Sequence, residues 1–465
     1  MNKKYYNKIS RRKFLGQASC AAIGSTTLFS TLLDLKKINA AVAASSNLLD
    51  GNYKAMVCIM QSGGNDSFNM LIPTETTAYN HYATTRSNLA IPQADLLSLN
   101  GTNHGLHPVM TGVQSLFNSN KLSFISNVGT LIHPITKQEY YDETVDIPLG
   151  LFSHADQAQQ WQTSIPHDRT AIGWGGKVAD LLQSMNGSSD ISMNISLAGS
   201  NTFQKGTDTV EYVIDPYNGA IGIEGYNGGN SLQQIITNSV DHFVDQAYAD
   251  MYKKTYVDII KVARDSHEEF SAAIDGVSDF TTQFSDNDVS QSMHMIAKTI
   301  AARDTLGVQR QIFFVDFGGW DHHDEVLDSQ EEMLAVLSDA MKEFSDAMDE
   351  IGTQNCVSTF TMSEFSRTLT SNGNGTDHAW GGNVMAMGGP VNGGNIYGTY
   401  PSLELNNSIE VGGGVLIPQL SCDEYFAELA MWFGVNDADL ADIFPNLNHF
   451  YSIGSDDPPI GFLNI

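Results

Sequence analysis

Positive charge is scarce in this chain. Its 24 Lys and Arg stand against 53 Asp and Glu, a formal net charge of −29 at pH 7. Eight of those cations and one of the acids lie within residues 1–44, so the remainder holds 16 against 52, a net charge of −36. Such a surface repels nucleic acid and anionic membranes, and nucleic acid is not an expected partner. Cysteine is nearly absent as well. Beyond Cys20 there are only Cys58, Cys356 and Cys422, an odd number without CxxC spacing. They read as buried thiols rather than a disulfide framework. Past residue 44, no run is long and apolar enough to span a bilayer. The Gly-x-Ser-x-Gly elbow, the P-loop and the HExxH motif are all missing, and the Gly-rich stretches lack the strand–GxGxxG–helix order of a dinucleotide fold.

The cations that do exist cluster at the N-terminus. Lys3, Lys4 and Lys8 precede Ser10-Arg11-Arg12-Lys13-Phe14-Leu15, and an uncharged stretch from Gly16 to Leu33 follows, rich in Ala, Ser and Thr. Ala40-Ala41-Val42-Ala43-Ala44 then offers small residues to a signal peptidase. This order reads as a twin-arginine export signal over residues 1–44. The alternative, a membrane anchor, is disfavoured: the stretch is at the short end of the ~20 apolar residues a span needs and is diluted by polar ones. The expected partner is the twin-arginine translocase, and the expected location is periplasmic or secreted. That route carries folded proteins, which often acquire a metal or cofactor first.

Residues 45–465 read as one domain. Apolar runs at Lys54–Met60, Leu122–Val128, Ser192–Ala198, Gln311–Phe317, Cys356–Met362 and Asn383–Met387 read as strands, several continuous as in sheets buried on both faces. Between them lie helical patterns. The clearest is Glu331–Ile351, with apolar residues at spacings of three and four and acids opposite. The expectation is an α/β fold, a mostly parallel central sheet with helices on both faces. Residues 205–230 read as loop, and 232–306 as mostly helical; together they suggest a helical insertion or cap.

Four polar clusters follow strand-like runs or lie in loops near them, where open α/β sheets form their sites. The first is Ser62-Gly63-Gly64-Asn65-Asp66 with Asn69, otherwise a plain turn. In the second, Phe152-Ser153-His154, Ser153 is either a nucleophile at a helix start or a simple N-cap. The third is Trp320-Asp321-His322-His323, where an Asp and a His two residues on offer O and N ligands to one divalent ion. The fourth is Ser363-Glu364-Phe365-Ser366-Arg367-Thr368 followed by Asp377-His378. Arg367 is one of six arginines after residue 44. Its planar fork suits an oxyanion, or pairs structurally with Glu364.

In this order, the clusters resemble the DUF1501 family of exported proteins, regarded as a remote branch of the alkaline phosphatase and sulfatase superfamily. The matching residues include Gly63-Gly64-Asn65-Asp66 with Asn69, Leu106-His107-Pro108, Ser153-His154, Gly319-Trp320-Asp321 with His323, Ser363-Glu364-Phe365 with Arg367-Thr368, and Asp377-His378 with Trp380-Gly381-Gly382. Ser366 and Ala379 stand where that pattern has glycine. The resemblance implies an alkaline phosphatase-like fold and divalent ions: zinc, manganese or calcium. It implies one site of Asp66, Ser153, Asp377 and His378 and another of Asp321 and His323, with Ser153 as nucleophile and Arg367 on the oxyanion. Asn69, His154, His322 and Glu364 are secondary candidates, and His449 is a distant one. The implied function is metal-dependent hydrolysis of an anionic phosphate or sulfate ester. The alternative is a non-catalytic binding or assembly protein on the same fold; a phosphomutase-like transferase fits export less well.

Overall fold

The structure is a computed structural model that describes residues 53–187, 191–246 and 250–465. The export signal expected over residues 1–44 lies outside the described residues. All six apolar runs become strands of one ten-stranded sheet. In chain order its strands are β1 (Lys54–Met60), β2 (Leu122–Gly129), β3 (Asn194–Ser196), β4 (Tyr212–Asp215) and β5 (Gly219–Ala220). They continue with β6 (Arg310–Asp316), β7 (Val357–Met362), β8 (Gly382–Met387), β9 (Ile396–Tyr397) and β10 (Leu420–Ser421). The spatial order is β9-β2-β8-β7-β1-β6-β3-β4-β5, and β10 also pairs with β2. β1 lies parallel to β7 and β6, with Ala55 opposite Val357 on one side and Gln311 on the other. β8 runs antiparallel to both its neighbours, and β5 antiparallel to β4.

The continuous apolar character of β1 has a simple cause, because both of its faces are covered. Ala55, Val57 and Ile59 enter one core, and Met56, Cys58 and Met60 enter the other. The first core is closed by α7 (Asp288–Ala301) and α8 (Val326–Glu350). In α8, Leu334, Leu337, Met341, Phe344 and Met348 recur at spacings of three and four and are all buried. The second core is closed by α4 (Trp174–Leu182) and α9 (Cys422–Phe433), with Trp174 stacked on Phe426. Each large apolar side chain so buried contributes roughly 1.5–3 kcal/mol.

The remaining described helices of eight residues or more are α1 (Thr76–Arg86), α2 (Thr111–Asn118), α3 (His154–Thr163), α5 (Ser231–Val244) and α6 (Met251–Asp275). One reading needs correction. Residues 205–230 are not all loop, because β4 and β5 extend the sheet edge there. Tyr212–Asp215 is too short an apolar run, in too Gly- and Asn-rich a setting, to announce a strand. Among the described residues, no helix is long and apolar enough to cross a membrane. Cys58, Cys356 and Cys422 are free thiols.

Candidate metal centre

The loops leaving the carboxyl ends of β1, β6 and β7 meet the start of α3. Gly63 and Gly64 allow the meeting. A Cβ on Gly63 (φ +121°) would sit 2.4 Å from the Asp321 backbone nitrogen, and one on Gly64 (φ +85°) would sit 2.4 Å from the Phe365 ring. After β6, Trp320 is fully buried and anchors its loop, while Asp321 and His323 turn outward. After β7, the segments around Arg367 and His378 pair as a short antiparallel bridge. Ala379 closes it by donating to the Ser366 carbonyl at 3.0 Å, so the glycine expected there is not required.

Three imidazoles converge on Asp321, each held by its Nδ1. His154 Nδ1 lies 2.9 Å from Glu364 Oε1, His378 Nδ1 lies 2.7 Å from the Phe152 carbonyl, and His323 Nδ1 lies 3.2 Å from Asp377 Oδ1. A carbonyl or carboxylate can only accept, so each Nδ1 is the donor, and in the neutral ring each Nε2 keeps its lone pair. The Nε2 atoms then face Asp321. His323 Nε2 is 3.1 Å and His378 Nε2 is 3.4 Å from Oδ1, and His154 Nε2 is 3.4 Å from Oδ2. The Nε2 atoms of His323 and His378 are 3.0 Å apart. Buried His154 Nε2 has no hydrogen-bond partner. Phe365 supports two of the rings, stacked on His378 at 4.7 Å and tilted against His154 at 4.9 Å. Phe152 presents its carbonyl from a left-handed conformation (φ +73°), which costs a non-glycine residue strain energy.

The charges suit ligation in part. Burial opposes ionisation of Asp321, but the hydrogen bond from Arg367, 2.6 Å away, prevails and holds this carboxyl below its usual range. Asp377 is also held low, first by the Asn372 amide and then by His323. Burial lowers His378, favouring its neutral, ligating form. His154 is raised by its hydrogen bond to Glu364, so a proton competes with any cation there.

The other expected residues lie elsewhere or act differently. Asp66 is not brought to the cluster: it is fully buried and paired with buried Arg86 at 2.5 Å. Asn69 is structural, accepting from the Tyr82 hydroxyl at 2.8 Å and donating to the Leu89 carbonyl at 3.1 Å. Ser153 is the N-cap of α3, its Oγ accepting weakly from the Asp156 amide at 3.4 Å. Arg367 is fully buried, bound to Asp321, to the Gly63 carbonyl (3.1 Å) and to the Thr376 carbonyl (2.5 Å). Its guanidinium is therefore tied to the protein rather than extended towards solvent. Glu364 and Asp377 hold histidines, and Glu364 Oε1 also accepts from the Gly63 amide at 2.7 Å. His322 turns inward, where burial lowers its pKa. His449 binds the Ile132 carbonyl outside the cluster. The Phe152 carbonyl was invisible in the sequence, since any residue supplies one.

Among the described residues, His154, Asp321 and His378 form a group whose ligand atoms all lie within 4.8 Å of one another. Bonds of 2.0–2.1 Å put neighbouring ligand atoms of a tetrahedral zinc site about 3.3 Å apart. The triangle of Asp321 Oδ1 with the two facing Nε2 atoms has edges of 3.0, 3.1 and 3.4 Å. The residues therefore fit a divalent cation.

Fold and centre together define an α/β protein with a candidate metal site at the carboxyl edge of a mostly parallel sheet. Residues 53–412 match DUF1501, described as a protein of unknown function, and the chain belongs to that family. No curated protein matches it. Similar solved structures include Ps i-CgsB in complex with k-i-k-neocarrahexaose, at 10% identity over 85% of this chain and 76% of that one, TM-score 0.32. Another is the PsFucS1 sulfatase from Pseudoalteromonas sp., at 9% identity over 86% and 71%, TM-score 0.33.

Proposed function

We propose that the centre binds one divalent cation through Asp321 and the Nε2 atoms of His154, His323 and His378, in an exported hydrolase of phosphate or sulfate esters. One observation carries the metal reading. Two imidazole lone pairs face each other at 3.0 Å, beside a carboxylate, with both Nδ1 positions already committed as donors. A proton or a cation must lie between them. Three nitrogens and a carboxylate suit zinc better than calcium, which prefers oxygen.

The ester class rests on the family resemblance. A divalent ion held here supplies Lewis-acid chemistry, polarising an ester oxygen and acidifying water. The chain's own part is orientation: Glu364, Asp377 and the Phe152 carbonyl fix the rings, and Arg367 fixes Asp321. Because Ser153 caps its helix, water is the nucleophile in this reading, and the ester oxygen leaves with a proton. The alternative, a metal-binding protein without catalysis, is favoured by one feature: Arg367 is already engaged by Asp321, Gly63 and Thr376.

Metal analysis of protein purified without chelator, paired with hydrolysis of an aryl phosphate and an aryl sulfate, tests this. The expected result is one ion per chain and turnover of one ester, both lost in Asp321→Asn. A loaded but inert protein would establish the binding alternative. Protein that neither contains metal nor gains thermal stability with added zinc would end the metal reading. For export, Arg11→Lys with Arg12→Lys should leave precursor in the cytoplasm; normal export of that variant refutes the signal.

A further inference from the structure

The hairpin of α5 and α6 has two apolar stripes, and only one is covered. On α5, Ile236, Val240 and Val244 are partly or fully buried, and on α6 Val257 is buried. The other stripe is in water. Leu232 and Ile235 on α5 are 67% and 61% exposed, and Tyr252, Tyr256, Ile259 and Val262 recur on α6 at spacings of three and four with exposures of 49–82%. The rings of Phe243 and Tyr256, 6.4 Å apart and edge-on, join the two helices' stripes into one face. α8 shows the contrast, because its outer face carries Glu331, Glu332 and Asp339 instead. Exposed apolar faces of this extent mark interaction sites.

We infer that this face is a two-fold interface with a second copy of the chain, formed by packing two α5–α6 hairpins into a four-helix layer. Two observations select that occupant. The first is area. Six such side chains at roughly 100 Å² each supply about 600 Å² of apolar core, which a polar rim brings to the ~800 Å² per partner of a standard interface. The second is charge. The whole chain has 24 cations against 53 acids, but residues 231–262 hold Lys253, Lys254 and Lys261 against Asp241, Asp245, Asp250 and Asp258. Two copies of so acidic a protein repel one another over most of their surface, and they meet with least repulsion where the charge is nearly balanced. Both signs on one rim also make the face self-complementary, as a two-fold contact requires.

Light scattering on the full mature protein at micromolar concentration tests the inference. Wild type should have twice the mass of one chain. Ile235→Lys with Tyr256→Lys places like charges at the interface on exposed positions and should weaken association by about tenfold or more. The circular dichroism spectrum of the double variant should match wild type and its melting should stay cooperative, which separates loss of the interface from loss of the fold. A monomeric wild type, or a folded double variant that dimerises as well as wild type, overturns the inference. So does a monomeric wild type that binds phosphatidylglycerol vesicles through this face, since the occupant would then be a membrane.

Discussion

Glu364 and Asp377 each hold the Nδ1 of a histidine, so in the proposed centre they orient ligands rather than serve as ligands. Such outer partners typically account for 10–100-fold of metal affinity. Glu364→Gln keeps the shape and an acceptor for the Gly63 amide but removes the charge beside His154. It should weaken zinc binding by about 10–100-fold in a chelator competition, while Asp321→Asn abolishes it. Asp377→Asn should weaken binding less than Asp321→Asn does; equal loss would make Asp377 a direct ligand. At this scale the sequence is informative about chemistry and poor about direction. Asp321, His323 and His378 are legible because ligand types at strand exits are few. That Asp66 turns inward to Arg86 is not legible, because Arg86 lies twenty residues on and nothing local announces the pairing.

The elements are the most legible part. Continuous apolar runs locate β1, β2, β6, β7 and β8 within a residue or two, because burial on both faces demands such runs. The antiparallel sense of β8 is hidden, since direction depends on a connection rather than on composition. Two predictions belong here. Ser153→Ala removes only the N-cap of α3 and should cost about 0.5–1 kcal/mol in chemical denaturation. It should leave hydrolysis intact; abolished turnover with full metal content would restore Ser153 as nucleophile. Gly64→Ala is the opposite case. Its methyl meets the Phe365 ring, which braces His154 and His378. Metal affinity should fall along with the melting temperature, whereas a change of melting temperature alone would mean that Phe365 does not support the rings.

On the scale of the whole molecule, acidity is felt inside as well as outside. Burial pushes the carboxyls of Asp423 and Glu424, at the start of α9, up to about 7 each. In the unfolded chain they titrate near 4, so between pH 4 and 7 the folded state keeps protons that the unfolded state has lost. Their stabilising effect is therefore full below pH 4 and disappears as the pH rises through 7. Its size is on the order of a few kcal/mol. Asp423→Asn should flatten the decline in unfolding free energy from pH 4 to 7 relative to wild type. Parallel pH profiles for the two proteins would show that Asp423 is ionised throughout.

The ligands of the centre come from the start of α3 and from the loops after β6 and β7, between His154 and His378 along the chain. No short segment can gather them, so the cation has no home until the sheet has closed. On the proposed reading of an exported metal-binding protein, loading follows closure of the sheet, and its timing has a geographical meaning. A protein folded in one compartment and used in another takes its ion from the first. The metal pool at the birthplace, rather than the supply at the destination, would decide which element the working protein carries.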